Sequence, residues 1–267
     1  MRWASSVALV LAGCNQVFGN APVHGIDAAF FDATIDALPT CPTGAAPSYS
    51  RDFFQLVVDD CSSITVAGGN MLALCGENAS ASPAYGPIGD VLVAAPALAA
   101  QGQYELRLSH DGQRVSFVVP VGGNLASLLV FHRSGSSWIS DPDIVTGGSI
   151  TGASEISNGP NARVLVEYAD GLHELEEQGG TWTDIATHAL ELFANEIAGP
   201  HLSGDAMRVW FTNGTTAYYF DRSELDATFT AHGTIGGSEG LFDADLTEDC
   251  GLMYFATLSR IWVAHPT

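Results

Sequence analysis

The chain contains no lysine: all nine basic residues are arginine, set against 30 acidic ones, for a formal charge of −21 over 267 residues. No basic face can be assembled from so few cations, which excludes DNA and RNA as partners, since counterion release needs one. The missing lysine also excludes Schiff-base chemistry and lysine-dependent phosphate loops. Charged residues are scarce at 15% while apolar ones reach 46%, a globular composition and not a disordered one. Paired metal-binding spacings are missing too: there is no C-x-x-C, and His173-Glu174 lacks the second histidine of a metalloprotease helix. What the chain has is glycine and proline, 29 and 12, with few long stretches free of either. That punctuation favours an all-β chain, and the length suffices for a sizeable core.

The N-terminus reads Met1-Arg2-Trp3, then an apolar run from Ala4 to Ala12, then Gly13-Cys14. These nine residues, seven of them apolar, span only about 14 Å as a helix, roughly half a bilayer core, so the run is no transmembrane anchor. A positive start, a short apolar run and small residues before a cysteine describe a secretory signal. The string Leu11-Ala12-Gly13-Cys14 resembles the lipobox of bacterial lipoproteins. The resemblance implies cleavage before Cys14, acylation of its thiol and amine, and a membrane anchor through that residue. Asn15 in the next position implies the outer membrane. Residues 1–13 are then the signal, and residues 14–49, with a loose acidic repeat through Asp27, Asp32 and Asp36 and prolines at 39, 42 and 47, are an extended tether.

From residue 50 to 267 one motif recurs. Leu108-Ser109-His110-Asp111-Gly112-Gln113-Arg114 is the clearest copy, followed by Leu202-Ser203-Gly204-Asp205-Ala206-Met207-Arg208 and Leu246-Thr247-Glu248-Asp249-Cys250-Gly251-Leu252. A looser copy runs from Ile156 to Arg163, and a degenerate one from Gly68 to Leu74. Taking Met71, Arg114, Arg163, Arg208 and Leu252 as equivalent gives steps of 43, 49, 45 and 44 residues, the size of a four-stranded propeller blade. Within each unit a tight-turn pair joins two apolar or alternating segments, and the motif aspartate is expected to serve the turn. Ala189–Ala198 alone has a helical look, and its place in a blade favours a loop or outer strand. The motif resembles the TolB-like, WD-related propeller repeat over Cys61–His265, though no proline precedes its aspartates. The resemblance implies a β-propeller, and the five equivalent positions predict five blades. The last unit ends after its third strand, so Asp52–Val58 is expected to supply the fourth and close the ring.

Apart from Cys14, four cysteines remain in what the signal makes an oxidising compartment: Cys41, Cys61, Cys75 and Cys250. Three connectivities are open. The turn at Gly68-Gly69 places Cys61 and Cys75 on facing strands, which leaves Cys41 to Cys250. Asp243, Asp245, Glu248 and Asp249 are the calcium candidates, although the rest of a calcium-loop pattern is missing and a solvated turn is the expectation. No cofactor and no resident metal is expected, and neither a serine hydrolase nor a zinc enzyme. The leading functional reading is a lipid-anchored, non-catalytic envelope propeller that binds or scaffolds an envelope protein or a ligand. The alternative is a carbohydrate-active, sialidase-like propeller, which requires acids and arginines converging on the channel mouth.

Overall fold

The structure, a computed structural model, describes residues 41–267 except 52–53, 60, 68, 76–81, 88–92, 96–97, 99–105, 123–124, 142–143, 146–149, 169, 189–196, 214–215, 240–241 and 258–259. Cys14, the acidic repeat and most of the 189–198 segment lie outside the described residues. Five small antiparallel sheets form a five-bladed β-propeller, and no α-helix occurs among the described residues.

The first strand, β1 (Phe54–Asp59), belongs to the last sheet. Blade one holds β2 (Cys61–Ala67), β3 (Asn70–Cys75), β4 (Ser82–Pro87) and β5 (Val93–Ala94). Blade two holds β6 (Leu106–Leu108), β7 (Arg114–Gly122) and β8 (Leu125–Ser134), with β9 (Ser137–Ser140) and β10 (Ile144–Val145) both paired to β8 as one interrupted outer strand. Blade three is β11 (Ile150–Ala153), β12 (Arg163–Tyr168), β13 (Gly171–Gln178) and β14 (Thr181–His188). Blade four is β15 (Ile197–Leu202), β16 (Arg208–Asn213), β17 (Thr216–Asp221) and β18 (Thr230–Thr234). Blade five is β19 (Phe242–Leu246), β20 (Met253–Thr257), β21 (Arg260–Ala264) and, outermost, β1. Each innermost strand touches the preceding blade, and β2 meets β19, β20 and β21 of blade five, which closes the circle.

The recurring motif builds the turn between the first two strands of each blade. In the clearest copy Ser109 Oγ donates to Asp111 Oδ1 at 2.6 Å, and the same oxygen accepts Gln113 N–H at 2.9 Å. Ser109 Oγ in turn accepts Arg114 N–H at 2.7 Å. Ser203 with Asp205, and Thr247 with Asp249, repeat the arrangement. The aspartates are thus turn residues that satisfy backbone amides where the chain reverses. The turn needs a left-handed residue two positions before the second strand, and Gly112 takes it with φ 68°. Ala206 and Cys250 occupy the same conformation at φ 57° and 55°.

Burial within a blade falls from the axis outward. In blade three, Arg163 to Val166 of β12 are buried, β13 alternates, and β14 is mostly exposed. The core is accordingly split into wedges between neighbouring blades. Phe117, Phe131 and Leu108 pack with Leu72 and Leu74 between blades one and two. Val209, Phe211 and Phe220 pack with Leu165 and Leu172 between blades three and four. Trp210, between Val209 and Phe211, turns to the opposite side and joins Tyr219, Leu246 and Phe255, as the period-two geometry of a strand buried on both faces demands.

Closure follows the expected route. β1 pairs antiparallel with β21, Phe54 opposite Val263 and Leu56 opposite Ile261. Ahead of it, residues 41–50, most of which the sequence reading places in the tether, pack as a strap along blades four and five. Tyr49 N–H donates to Gly236 O, Ser50 N–H to His265 O, and the buried Tyr49 hydroxyl to Cys250 O. A disulfide joins Cys41 to Cys250 across 209 residues, with the Cα atoms 4.9 Å apart.

Candidate functional site

The residue just before the apolar lead of every motif copy is polar: Thr65, Arg107, Glu155, His201 and Asp245. Because strand side chains alternate, the apolar lead enters a wedge and its neighbour points the other way. For an innermost strand that way is the propeller axis. All five are 1% exposed or less, so the axis holds a buried polar layer, one residue per blade. Neighbours in the layer clamp one another. Glu155 Oε1 meets His201 Nδ1 at 2.8 Å, and Asp245 Oδ1 lies 3.4 Å from the same nitrogen. The second carboxylate oxygens accept backbone amides from the next blade: Glu155 Oε2 from Leu202 N at 2.9 Å, and Asp245 Oδ2 from Val66 N at 2.7 Å. Thr65 Oγ1 accepts Leu108 N–H at 3.2 Å. Burial alone raises the Glu155 carboxyl, but the charge of His201 and its hydrogen bond, with Arg107 and His110 nearby, bring it down to about 2.

Three residues further along each copy, a second tier covers the layer at the motif-turn end. His110 Nδ1 lies 2.9 Å from Glu248 Oε2, and its Nε2 bonds Leu202 O at 2.6 Å. Gly204 N–H donates to Glu248 Oε2, and Asn158 N–H to Gly204 O. A Cβ on Gly204 would come within 2.7 Å of Asn158 Nδ2 and 2.9 Å of His110 Cβ, so only glycine fits there. Burial lowers the affinity of His110 for its proton, but Glu248 first, then Glu155 and Asp245, raise the pKa to about 9. With the folded pKa above the ordinary 6.5, the contribution of His110 is complete below pH 6.5 and is lost as pH rises towards 9. We expect stability to fall by about 2 kcal/mol over that interval, discounted for the half-exposed Glu248. Chemical denaturation of wild type and His110→Gln at pH 6 and pH 9 checks this; an equal pH dependence in both would contradict it.

A second buried ionic network ties blade three to blade four. Glu174 Oε1 accepts from Arg163 Nη1 at 3.0 Å and Arg222 Nη2 at 2.8 Å. Its Oε2 accepts from Arg222 Nη1 at 2.9 Å and meets His188 Nε2 at 2.9 Å. Arg222 also donates to Ala206 O and stacks over Phe229 at 4.4 Å.

The residues singled out by sequence are placed as follows. Asp245 is axial, Glu248 caps His110, and Asp249 serves its turn, so these three calcium candidates are engaged separately. The side chain of Asp243 lies outside the described residues, as does Cys14. Cys61 and Cys75 stand opposite each other in the β2–β3 register, with their side chains outside the description. The string Gly236-Gly237-Ser238-Glu239-Gly240 does carry serine-hydrolase elbow spacing, which corrects the exclusion of a serine hydrolase on the ground that the sequence holds no such elbow. Ser238 is no nucleophile: its buried Oγ donates to Ile235 O at 2.7 Å and accepts Ala217 N–H at 3.1 Å. Four axial residues, Thr65, Arg107, Glu155 and His201, were not foreseen at all. The available signal was a polar residue directly before the apolar lead in all five copies.

No protein-family model matches the sequence, and no curated protein matches it. Solved structures of similar fold do match. TolB from Acinetobacter baumannii is 10% identical with a TM-score of 0.47, covering 77% of this chain and 54% of its own, so this chain spans about half of that protein. A structure assigned as TolB from Agrobacterium tumefaciens is 11% identical, TM-score 0.48, covering 83% and 89%. A gluconolactonase from Xanthomonas campestris is 11% identical, TM-score 0.45, covering 86% and 97%. At these distances no residue role is carried across.

Proposed function

We propose that the chain is a lipid-anchored cell-envelope propeller, held to the outer membrane through Cys14, that binds an envelope partner and does no chemistry of its own. The observation that supports this reading is the state of the axis. Glu155 and Asp245 converge there with Arg107 and His201, the residue types a glycan-processing reading calls for, yet all four are 1% exposed or less. One oxygen of each carboxylate is held by a backbone amide of the next blade. A hydrolase needs its acids in contact with substrate and water. The outer faces are then the working surface. Arg107, Arg163 and Arg222 are buried, and Arg51, Arg114 and Arg208 each face a carboxylate, so little positive charge offsets the acidic exterior. That complements a basic partner and makes association salt-dependent.

The test is crosslinking in intact cells expressing wild type or Cys14→Ser, followed by capture at low and high salt. Wild type should take up labelled fatty acid, partition with membranes and bring down one dominant partner that salt releases. Cys14→Ser should do neither of the first two. Fatty-acid uptake by Cys14→Ser, or turnover of a glycan panel by the purified chain, would refute the reading.

A further inference from the structure

We propose that Glu155, His201 and Asp245 form a buried transition-metal site on the propeller axis, with one ligand from each of blades three, four and five. Glu155 Oε1, His201 Nδ1 and Asp245 Oδ1 lie within 4.8 Å of one another. The geometry around His201 Nδ1 is poorly served by a proton. Two carboxylate oxygens face that nitrogen, at 2.8 and 3.4 Å, and one N–H satisfies only one of them. Asp245 Oδ1 is the loser: it is buried and accepts no hydrogen bond. A buried carboxylate oxygen left so is costly. A cation seated between the three would meet both oxygens and the nitrogen lone pair together.

The surroundings are those of a ligand set. Each carboxylate has its second oxygen held from behind by a backbone amide, from Leu202 and from Val66, which fixes the first oxygen in place. His201 is held by its stack on Trp210, with ring centroids 5.4 Å apart and planes inclined by 5°. The donor set, one imidazole nitrogen and two carboxylate oxygens, suits zinc, manganese or a neighbouring first-row dication. Calcium is disfavoured, since it takes six to eight oxygens and this layer is closed to water on the described side. Around such an ion the ligand atoms would spread to about 3.3 Å apart, a shift of roughly half an ångström for Glu155 and His201. With His201 neutral, the carboxylates of Glu155, Asp245 and Glu248 outnumber the Arg107 guanidinium and the His110 imidazolium by one, and the layer attracts a cation. Bound there, the ion would tie three consecutive blades at the closing side of the ring. Burial means that it enters as the chain folds.

The experiment uses the full chain with its Cys41–Cys250 disulfide intact, unfolded in guanidinium with chelator and refolded with or without zinc or manganese. Metal content is read by mass spectrometry and stability by thermal unfolding. Wild type should hold about one ion per chain and gain roughly 5–10 °C over the apo form at a hundredfold excess over Kd. His201→Gln and Asp245→Asn should hold none and gain nothing. Should either variant misfold, cobalt-loaded wild type decides the matter through the visible absorption of a low-coordinate nitrogen–oxygen site. Wild type that refolds without retaining metal, variants that retain as much as wild type, or a cobalt spectrum no different from the aqueous ion would each overturn the proposal.

Discussion

Glu174→Gln should be among the most damaging isosteric substitutions in this protein, costing about 3–5 kcal/mol. The amide keeps the shape of the side chain but removes the anion facing two arginines and a histidine. Arg163, Arg222 and His188 are each 6% exposed or less, so none can turn to water for compensation. Equilibrium unfolding in guanidinium measures the loss, and a change below about 1 kcal/mol would mean the network is solvated and weak. The double variant Glu174→Leu, Arg222→Met should recover part of it, because removing a whole buried pair is less harmful than removing half. There is a pH signature as well. Burial raises the Glu174 carboxyl, but His188 and Arg222 outweigh it and lower the pKa to about 2. A depressed carboxylate contributes stability above its ordinary value and loses it as the solution is acidified through pH 4.5 towards 2. The glutamine variant should lack that component of acid unfolding.

Cys41→Ser should lower stability by about 4 kcal/mol, or roughly 10 °C in Tm for a folded unit of this size. The crosslink spans 209 residues, so its removal returns a very large loop to the unfolded chain. It also releases the strap that carries the buried Tyr49. Cys250→Gly separates the two effects available at the other end. It removes the same crosslink but relieves a left-handed residue at φ 55°, so its cost should be smaller by about 1 kcal/mol. Thermal unfolding of the two variants beside reduced wild type checks both statements. Two variants as stable as the oxidised protein would remove the staple from the account of ring closure.

Much of the fold was legible because propeller signals are local. A hydroxyl and an aspartate at fixed spacing before an apolar strand mark a turn whose hydrogen bonds close within six residues, as Ser109, Asp111 and Arg114 show. Counting those turns yields the blades, and a last unit lacking its fourth strand calls for one from the other end, which β1 provides. The pairing of Cys41 with Cys250 follows from that closure. The site was less legible. Glu155 and Asp245 are separated by ninety positions, and neither belongs to a recognised ligand spacing. Glu174 carries no pattern that distinguishes it from the half-buried Glu176 and Glu177 of its strand, yet its partner Arg222 arrives from another blade.

By itself the sequence determined the unit, the number of units, the order in which they follow and the acidic character of the exterior, because each depends on residues close together or on simple composition. Only the tertiary structure decided which polar residues meet. Closing five blades into a ring brings every innermost strand to one axis, and there the residue preceding each apolar lead loses its water and must find partners on its neighbours. Convergence of that kind depends on the angle between sheets, which no spacing along a single strand encodes.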